Sequence, residues 1–164
     1  MRFPDLRAPA REYLYGTAES MEARRQELIR LKQVDLPANA EAMRTAKEHG
    51  DLRENFEYQS ARQKHEYLSA RIATLADELS RTRALDPTRI ETSEVRVGTR
   101  VLLREVDSGA ERVAVILGPW DSKPEENIYS YQSEFAEGLL GRRPGDRVSL
   151  SGIPAEIVSI APWK

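Results

Sequence analysis

Gly50-Asp51-Leu52-Arg53-Glu54-Asn55-Phe56 separates two long helical patterns, and its reading decides the fold. A turn that only reversed the chain would need a glycine and a capping residue. Here Glu48, Asp51, Glu54 and Glu57 also fall within ten positions, which places a cluster of carboxylates at the end of a helical hairpin.

Working upstream, residues 8–48 are rich in Ala, Glu, Arg, Leu and Met, all tolerated in helices. Leu14, Met21, Leu28 and Leu31 mark an apolar side among interspersed acids and arginines. Pro37 removes a backbone donor and disfavours helical geometry at Leu36, so a kink or short break is expected there. Downstream, residues 55–84 are more regular. Tyr58, Ala61, His65, Leu68, Ile72, Leu75 and Leu79 alternate steps of three and four, the seam of a heptad repeat. A short turn makes the first segment its antiparallel partner, with Ala38, Ala42 and Ala46 predicted to allow close approach.

Helix should end at Asp86-Pro87, after which the period becomes two. Strands are predicted at Val95–Val97, Arg100–Val106 and Arg112–Leu117, with a further one over 127–132. Ser133 is placed to cap a short helix reaching Leu140, and 147–151 pairs with 155–161 across Gly152-Ile153-Pro154. The fold class is therefore α+β. An N-terminal antiparallel helical hairpin occupies 1–86, with its acidic tip at 48–57, and a small, mostly antiparallel sheet domain occupies 87–164.

The 164 residues are 32% charged, 40% hydrophobic and 7% aromatic, the profile of a chain with much solvated surface. A net charge of −2 argues against binding nucleic acid by tracking phosphates. No apolar run approaches the roughly 20 residues that cross a bilayer, and the N-terminus lacks the apolar core of a signal peptide, so a cytoplasmic protein without a membrane partner is expected. With no cysteine and only His49 and His65, disulfides, thiolate sites and histidine-built zinc sites are excluded, and any metal must take oxygen ligands.

Two carboxylates from a turn suit Mg²⁺, which takes one or two protein carboxylates while keeping waters or phosphate oxygens. Asp51 and Glu54, three apart, are the pair placed to give such a half-ligated site, useful where a second partner completes it. The same spacing equally suits Asp51 as N-cap of the second helix with Glu54 as its capping-box partner. Local spacing leaves both open. Glu48 and Glu57 read as solvated helix charges and His49 as a helix-terminal residue. Phe56, off the heptad seam and beside the acids, reads as an interaction residue.

The run Ala46 to Tyr58 closely resembles the coiled-coil tip of the bacterial Gre transcript-cleavage factors, nearest the GreA type. Leu31-Lys32-Gln33-Val34 followed by Pro37, and Ser133 to Gly141 followed by Gly145-Asp146, are similar to two further family segments. The resemblance covers roughly 10–164 and implies an FKBP-like second domain. It also implies a hairpin that enters the secondary channel of RNA polymerase, where the tip shares Mg²⁺ with the polymerase active centre and promotes cleavage of backtracked RNA. Carried over residue by residue, Asp51 and Glu54 serve metal and water, Asn55, Glu57 and Tyr58 support the tip, and Ser133, Phe135 and Leu139 belong to the polymerase-docking segment. The implied partners are RNA polymerase, the nascent RNA 3′ end and the DNA-bound elongation complex, met by a monomer that binds no cofactor alone and is not itself an enzyme.

The family's Ser-Pro and following basic residue are replaced here by Ser133-Glu134 and Glu137, and the stretch before Leu14, with Phe3-Pro4 and Pro9, departs from the usual start. These differences keep a second reading in play, a secondary-channel regulator or inhibitor without cleavage activity. Prolyl isomerase activity, suggested by an FKBP-like domain, has no supporting pocket pattern, and a plain coiled-coil adaptor leaves the acids unexplained.

Overall fold

The computed structural model describes residues 13–50 and 55–164. They form two compact units, one of Glu22–Arg81 and one of the described residues up to Met21 with Thr82–Lys164.

In the helical unit, α1 (Ala18–Arg30) leads through a π-helical stretch (Leu31–Asp35) into α2 (Leu36–Lys47), and α3 (Phe56–Arg81) returns. Glu27 meets Arg71, Asn39 meets Ala61 and Ala46 meets Asn55, so one arm counts up as the other counts down and the arms are antiparallel. The heptad seam holds. Ala61, Leu68 and Leu75 are buried, and Tyr58, His65, Ile72 and Leu79 are half-buried between them.

The first arm corrects two expectations. The chain does not break at Pro37: Leu36 stays helical at φ −65°, ψ −47°, and the disturbance lies before the proline, where the Leu36 N–H donates to the Leu31 carbonyl. A proline ring collides with the carbonyl four residues back, and the wider π turn relieves that collision without ending the helix. One residue absorbed in the turn rotates everything after it by about 100°. Asn39 and Met43 therefore face inward while Ala38 and Ala42 are exposed, and of the three alanines only Ala46 is buried. Asn39 is satisfied there, its amide donating to the Ala61 carbonyl at 2.8 Å.

The helix ends also differ from the sequence pattern. Instead of helix from residue 8, the described chain opens with β1 (Leu14–Gly16), and α1 starts behind Thr17, whose hydroxyl accepts the Ser20 N–H at 3.2 Å. Helix α3 stops at Arg81, short of the expected 84, because β2 (Thr82–Ala84) pairs in parallel with β1, Leu14 opposite Thr82 and Gly16 opposite Ala84. The Arg83 guanidinium lies 3.9 Å over the Tyr13 ring, and the Leu85 N–H donates to the Gly16 carbonyl. Helix propensity of a few tenths of a kcal/mol per residue yields to such pairing.

The other unit, to which β1 and β2 belong, also contains β3 (Thr99–Glu105), β4 (Glu111–Leu117), β5 (Ile128–Ser130), α4 (Glu134–Glu137), β6 (Arg147–Leu150) and β7 (Ile153–Pro162). The sheet order is β5-β4-β3-β7-β6, antiparallel except for β4 with β5. Val101, Leu103, Ala114, Ile116, Val148, Leu150, Ala155 and Ile157 fill its inner face and receive Ala136 and Leu139 from the α4 segment. Val95–Val97 is not a strand: Val95 plugs the core, and Gly98 at φ +92° turns the chain into β3. Helix α4 is shorter than predicted, ending at Glu137, while Ser133 caps it as expected by accepting the Ala136 N–H.

Candidate functional site at the hairpin tip

Asp51, Leu52, Arg53 and Glu54 lie outside the described residues, and with them both proposed metal ligands. The two helix ends that bracket them are well defined. The last four carbonyls of a helix lack partners within it, and the Ala46 carbonyl, among the last of α2, accepts the His49 N–H at 3.2 Å and the Asn55 side-chain amide at 2.6 Å. The Asn55 side-chain oxygen meanwhile accepts the Tyr58 N–H at 3.0 Å, which is N-cap geometry for α3. One side chain thus caps the second helix and ties it to the end of the first.

This settles which residue starts α3. Sequence spacing offered Asp51 with Glu54 as the capping pair, but the cap is Asn55 and the helix begins at Phe56. The capping-box pattern favours Asp51, with Glu54 three residues on, over Asn55, which has Tyr58 there, yet Asn55 is an equally good cap by residue type and is the one the structure uses. The start of α3 does not require the Asp51 carboxylate.

The remaining tip residues divide by what they touch. Tyr58 is half-buried, and the Lys47 ammonium lies over its ring, 5.5 Å from the centroid. Glu48 pairs with Arg44 at 2.7 Å, and Arg44 also binds Glu41, a chain of exposed ion pairs along α2. Glu57 is exposed in the first turn of α3, where the helix dipole favours a carboxylate. Phe56 is 82% exposed. Among these contacts, the Arg44 pairs follow i, i+3 and i, i+4 spacing on one helix, whereas the Lys47–Tyr58 contact crosses from α2 to α3 and had no local sequence signal.

In the sheet unit, the three residues assigned to the docking segment occupy different environments. Ser133 is engaged in capping and donates its hydroxyl to the Ser130 carbonyl at 2.6 Å. Phe135 stacks on Tyr129, ring centroids 4.0 Å apart and planes at 22°. Leu139 is 1% exposed, so it anchors the α4 segment to the core and offers no surface to a partner. Glu134 and Glu137 are exposed on α4. Arg142 and Arg143, both exposed, follow without an ion-pair partner among the described residues.

Among the described residues no three of His, Cys, Asp and Glu are grouped to hold a metal ion.

Residues 14–83 match the family model of the transcription elongation factor N-terminal domain of GreA/GreB type, and residues 90–162 match that of the GreA/GreB C-terminal domain. The chain belongs to the GreA/GreB family of transcription elongation factors. It is of the GreA type: the transcription elongation factor GreA of Treponema pallidum (strain Nichols) is 37% identical over 138 residues, 84% of this chain and 85% of that one. The GreA of Thermodesulfovibrio yellowstonii is 33% identical over 150 residues, 88% of this chain and 94% of that one. Against the GreA of Borreliella burgdorferi, 38% identical over 130 residues, this chain is covered to 79% but spans 14% of that much longer protein. The crystal structure of GreA factor homolog 1 of Thermus thermophilus aligns over 90% of this chain and 98% of its own, with a TM-score of 0.43 and 25% identity. Among the described residues of this GreA/GreB family member, no helix is long and apolar enough to cross a membrane.

Proposed function

We propose that the protein binds bacterial RNA polymerase through its secondary channel and stimulates the polymerase's own cleavage of backtracked RNA, acting in the cytoplasm as a monomer. The observation that carries this reading is the Asn55 clamp. It ties Ala46 near the end of α2 to Asn55 at the start of α3, closing the described end of an arm whose α3 alone, at 26 residues, is about 39 Å long. Acids at the end of such an arm are delivered to a distant phosphodiester, which a net charge of −2 would not attract by itself.

In that complex Mg²⁺, shared with the polymerase active centre, supplies Lewis-acid polarisation of the phosphoryl group and a more acidic bound water. Asp51 and Glu54 offer carboxylate oxygens that help retain the ion and orient the attacking water. The water oxygen bonds to phosphorus, the bond from phosphorus to the upstream O3′ breaks, and the proton lost by water balances the one gained by that oxygen. The upstream RNA is left with a new 3′ hydroxyl. Asn55 ties the end of α2 to the start of α3 on either side of the acids, Glu57 adds negative charge in the first turn of α3, and Tyr58, with Lys47 over its ring, stiffens that turn. In the sheet unit, Phe135 with Ser133 forms the docking segment, and buried Leu139 keeps it in place.

Purified elongation complexes backtracked on a defined template provide the test. With Mg²⁺ present, the protein is expected to accelerate release of short 3′ RNA fragments, and Asp51→Asn with Glu54→Gln to abolish that acceleration while leaving polymerase binding intact. An unchanged rate with the double variant, or no acceleration by the parent protein, overturns the reading. Binding without cleavage establishes instead a secondary-channel regulator.

A further inference from the structure

Phe56 is the first residue of α3 and 82% exposed, and among the described residues it makes no ring or cation contact. Its neighbour Tyr58 already carries Lys47 over its ring. The backbone on either side of Phe56 is held by the hydrogen bonds of Asn55 to Ala46 and to Tyr58. An apolar ring is thus presented to solvent from a braced position at the end of the hairpin, and packing within the described chain gives no reason for it. Two residues of chain span at most about 7 Å, so whatever meets Glu54 lies close to this ring.

We propose that Phe56 is a substrate-positioning residue that stacks on an unpaired nucleobase of the RNA 3′ segment. The proposal rests on the reading that Asp51 and Glu54 act on a phosphodiester of that RNA. Given that chemistry, the group within reach of Phe56 is a nucleotide. Glu48 is paired with Arg44 and Lys47 sits over Tyr58, so the surroundings of the ring carry both signs; what the uncharged, exposed ring itself offers is a flat apolar face, and the part of a nucleotide that matches it is the face of the base. Aromatic side chains take single-stranded bases in this way irrespective of sequence, because every base has a π face. Stacking there would hold the strand while the neighbouring phosphodiester is cleaved, and its benefit would appear in the rate of the bound complex rather than in affinity for polymerase.

The test compares Phe56→Ala, Phe56→Leu and Phe56→Trp at saturating protein on complexes backtracked by the same number of nucleotides. Tyr67→Ala serves as a control, since Tyr67 is 66% exposed on the same helix but roughly 16 Å further along it. Phe56→Ala and Phe56→Leu should lower the cleavage rate at saturation about 5- to 100-fold, and Phe56→Trp should retain it. An abasic 3′ segment should slow the parent protein by a similar factor and Phe56→Ala no further. If Phe56→Leu is as active as the parent, or the abasic substrate and Phe56→Ala act additively, stacking is overturned. A variant that weakens polymerase binding but cleaves normally at saturation likewise overturns it and assigns the ring to the channel wall. Should the parent protein not stimulate cleavage, the functional reading has failed. Photocrosslinking of a 3′-terminal thionucleobase then decides the contact alone: a crosslink at Phe56 sustains it, and none at the tip overturns it.

Discussion

The side-chain amide of Asn55 donates to the main-chain carbonyl of Ala46 at 2.6 Å. Its oxygen is simultaneously the N-cap acceptor for Tyr58, so one residue adds a second donor to a carbonyl at the end of α2 and satisfies an orphan donor of α3. Asn55→Ala removes both bonds and is expected to cost about 1–2 kcal/mol of helical-unit stability, the range for loss of a good cap. Asn55→Asp keeps the cap but turns a donor into a second acceptor facing the Ala46 carbonyl, so it should recover part of the loss and not all. Urea unfolding followed by circular dichroism, with amide exchange at Tyr58 as the local reporter, checks both. Equal stability of Asn55→Ala and the parent would show that the clamp contributes nothing.

Further along the hairpin, Glu27 bridges its two arms. One carboxylate oxygen accepts from the Arg71 Nε and Nη2 at 3.0 and 2.9 Å, and the other accepts from Arg24 at 2.7 Å. Partial burial pushes the Glu27 pKa up, but the hydrogen bonds from Arg24 and Arg71, with the charges of both guanidiniums, outweigh burial and hold it below the ordinary value of 4.5. A depressed carboxylate pKa contributes stability that is complete above the unfolded value and disappears as pH falls through the folded one. The stability difference between the parent and Glu27→Gln should therefore be flat from neutral pH down to about 5 and shrink below 4.5. At neutral pH it should be about 1 kcal/mol, because the carboxylate is 30% exposed and solvent screens the pair. A difference independent of pH between 3 and 7, on the order of four units of titration, would rule this out.

How much of this was legible beforehand follows from which forces act locally. The seam from Tyr58 to Leu79 was readable because a heptad pattern records burial directly, and the Ser133 cap was readable because capping is a contact between near neighbours. The inward turn of Asn39 and Met43 was not, since it depends on one residue absorbed before Pro37, and nothing in the apolar spacing of α1 announces a π turn. Strands β1 and β2 were hidden for another reason: their pairing joins residues far apart in sequence, and Arg83 and Ala84 taken alone favour helix. At the tip, the acids were visible as residue types, whereas the cap was misassigned: the spacing of Asp51 and Glu54 pointed to Asp51, and the tie to the Ala46 carbonyl across the hairpin that engages Asn55 leaves no mark in local spacing.

Asn39 offers a direct test of the displaced register. Its amide donates to the Ala61 carbonyl at 2.8 Å in a buried seam. A polar residue at such a position fixes alignment at some cost in stability. Asn39→Ala should destabilise the helical unit by about 1–2 kcal/mol, through the lost hydrogen bond and the space left behind. Ala38→Asn should not restore it, because position 38 is exposed. If the double variant regained the parent's midpoint, the π turn would not set the register in solution.

Within the sheet unit, Thr17 and Asp121 brace the residues that follow β1. The Asp121 carboxylate accepts the Thr17 hydroxyl at 2.6 Å, the Thr17 N–H at 3.1 Å and the Gly118 N–H at 3.2 Å, with Thr17 only 7% exposed. That geometry requires β1 to pass very close to Gly118, where an added Cβ would sit 1.9 Å from the Tyr15 carbonyl oxygen and 3.0 Å from the Gly16 Cα. The obstacle is main chain on both counts, so no side chain can swing aside, and at φ −85° the glycine is needed for space and not for its backbone angles. Gly118→Ala should cost about 3 kcal/mol, the upper end of overpacking penalties. Asp121→Ala, which leaves three donors without their acceptor, should cost about 1–3 kcal/mol. Trp120 and Trp163 both lie in this unit, so tryptophan fluorescence during denaturation reports it directly. Because the two changes disturb one contact, their combined effect should fall short of the sum. A Gly118→Ala protein with the parent's midpoint would mean that β1 does not run against Gly118 in solution.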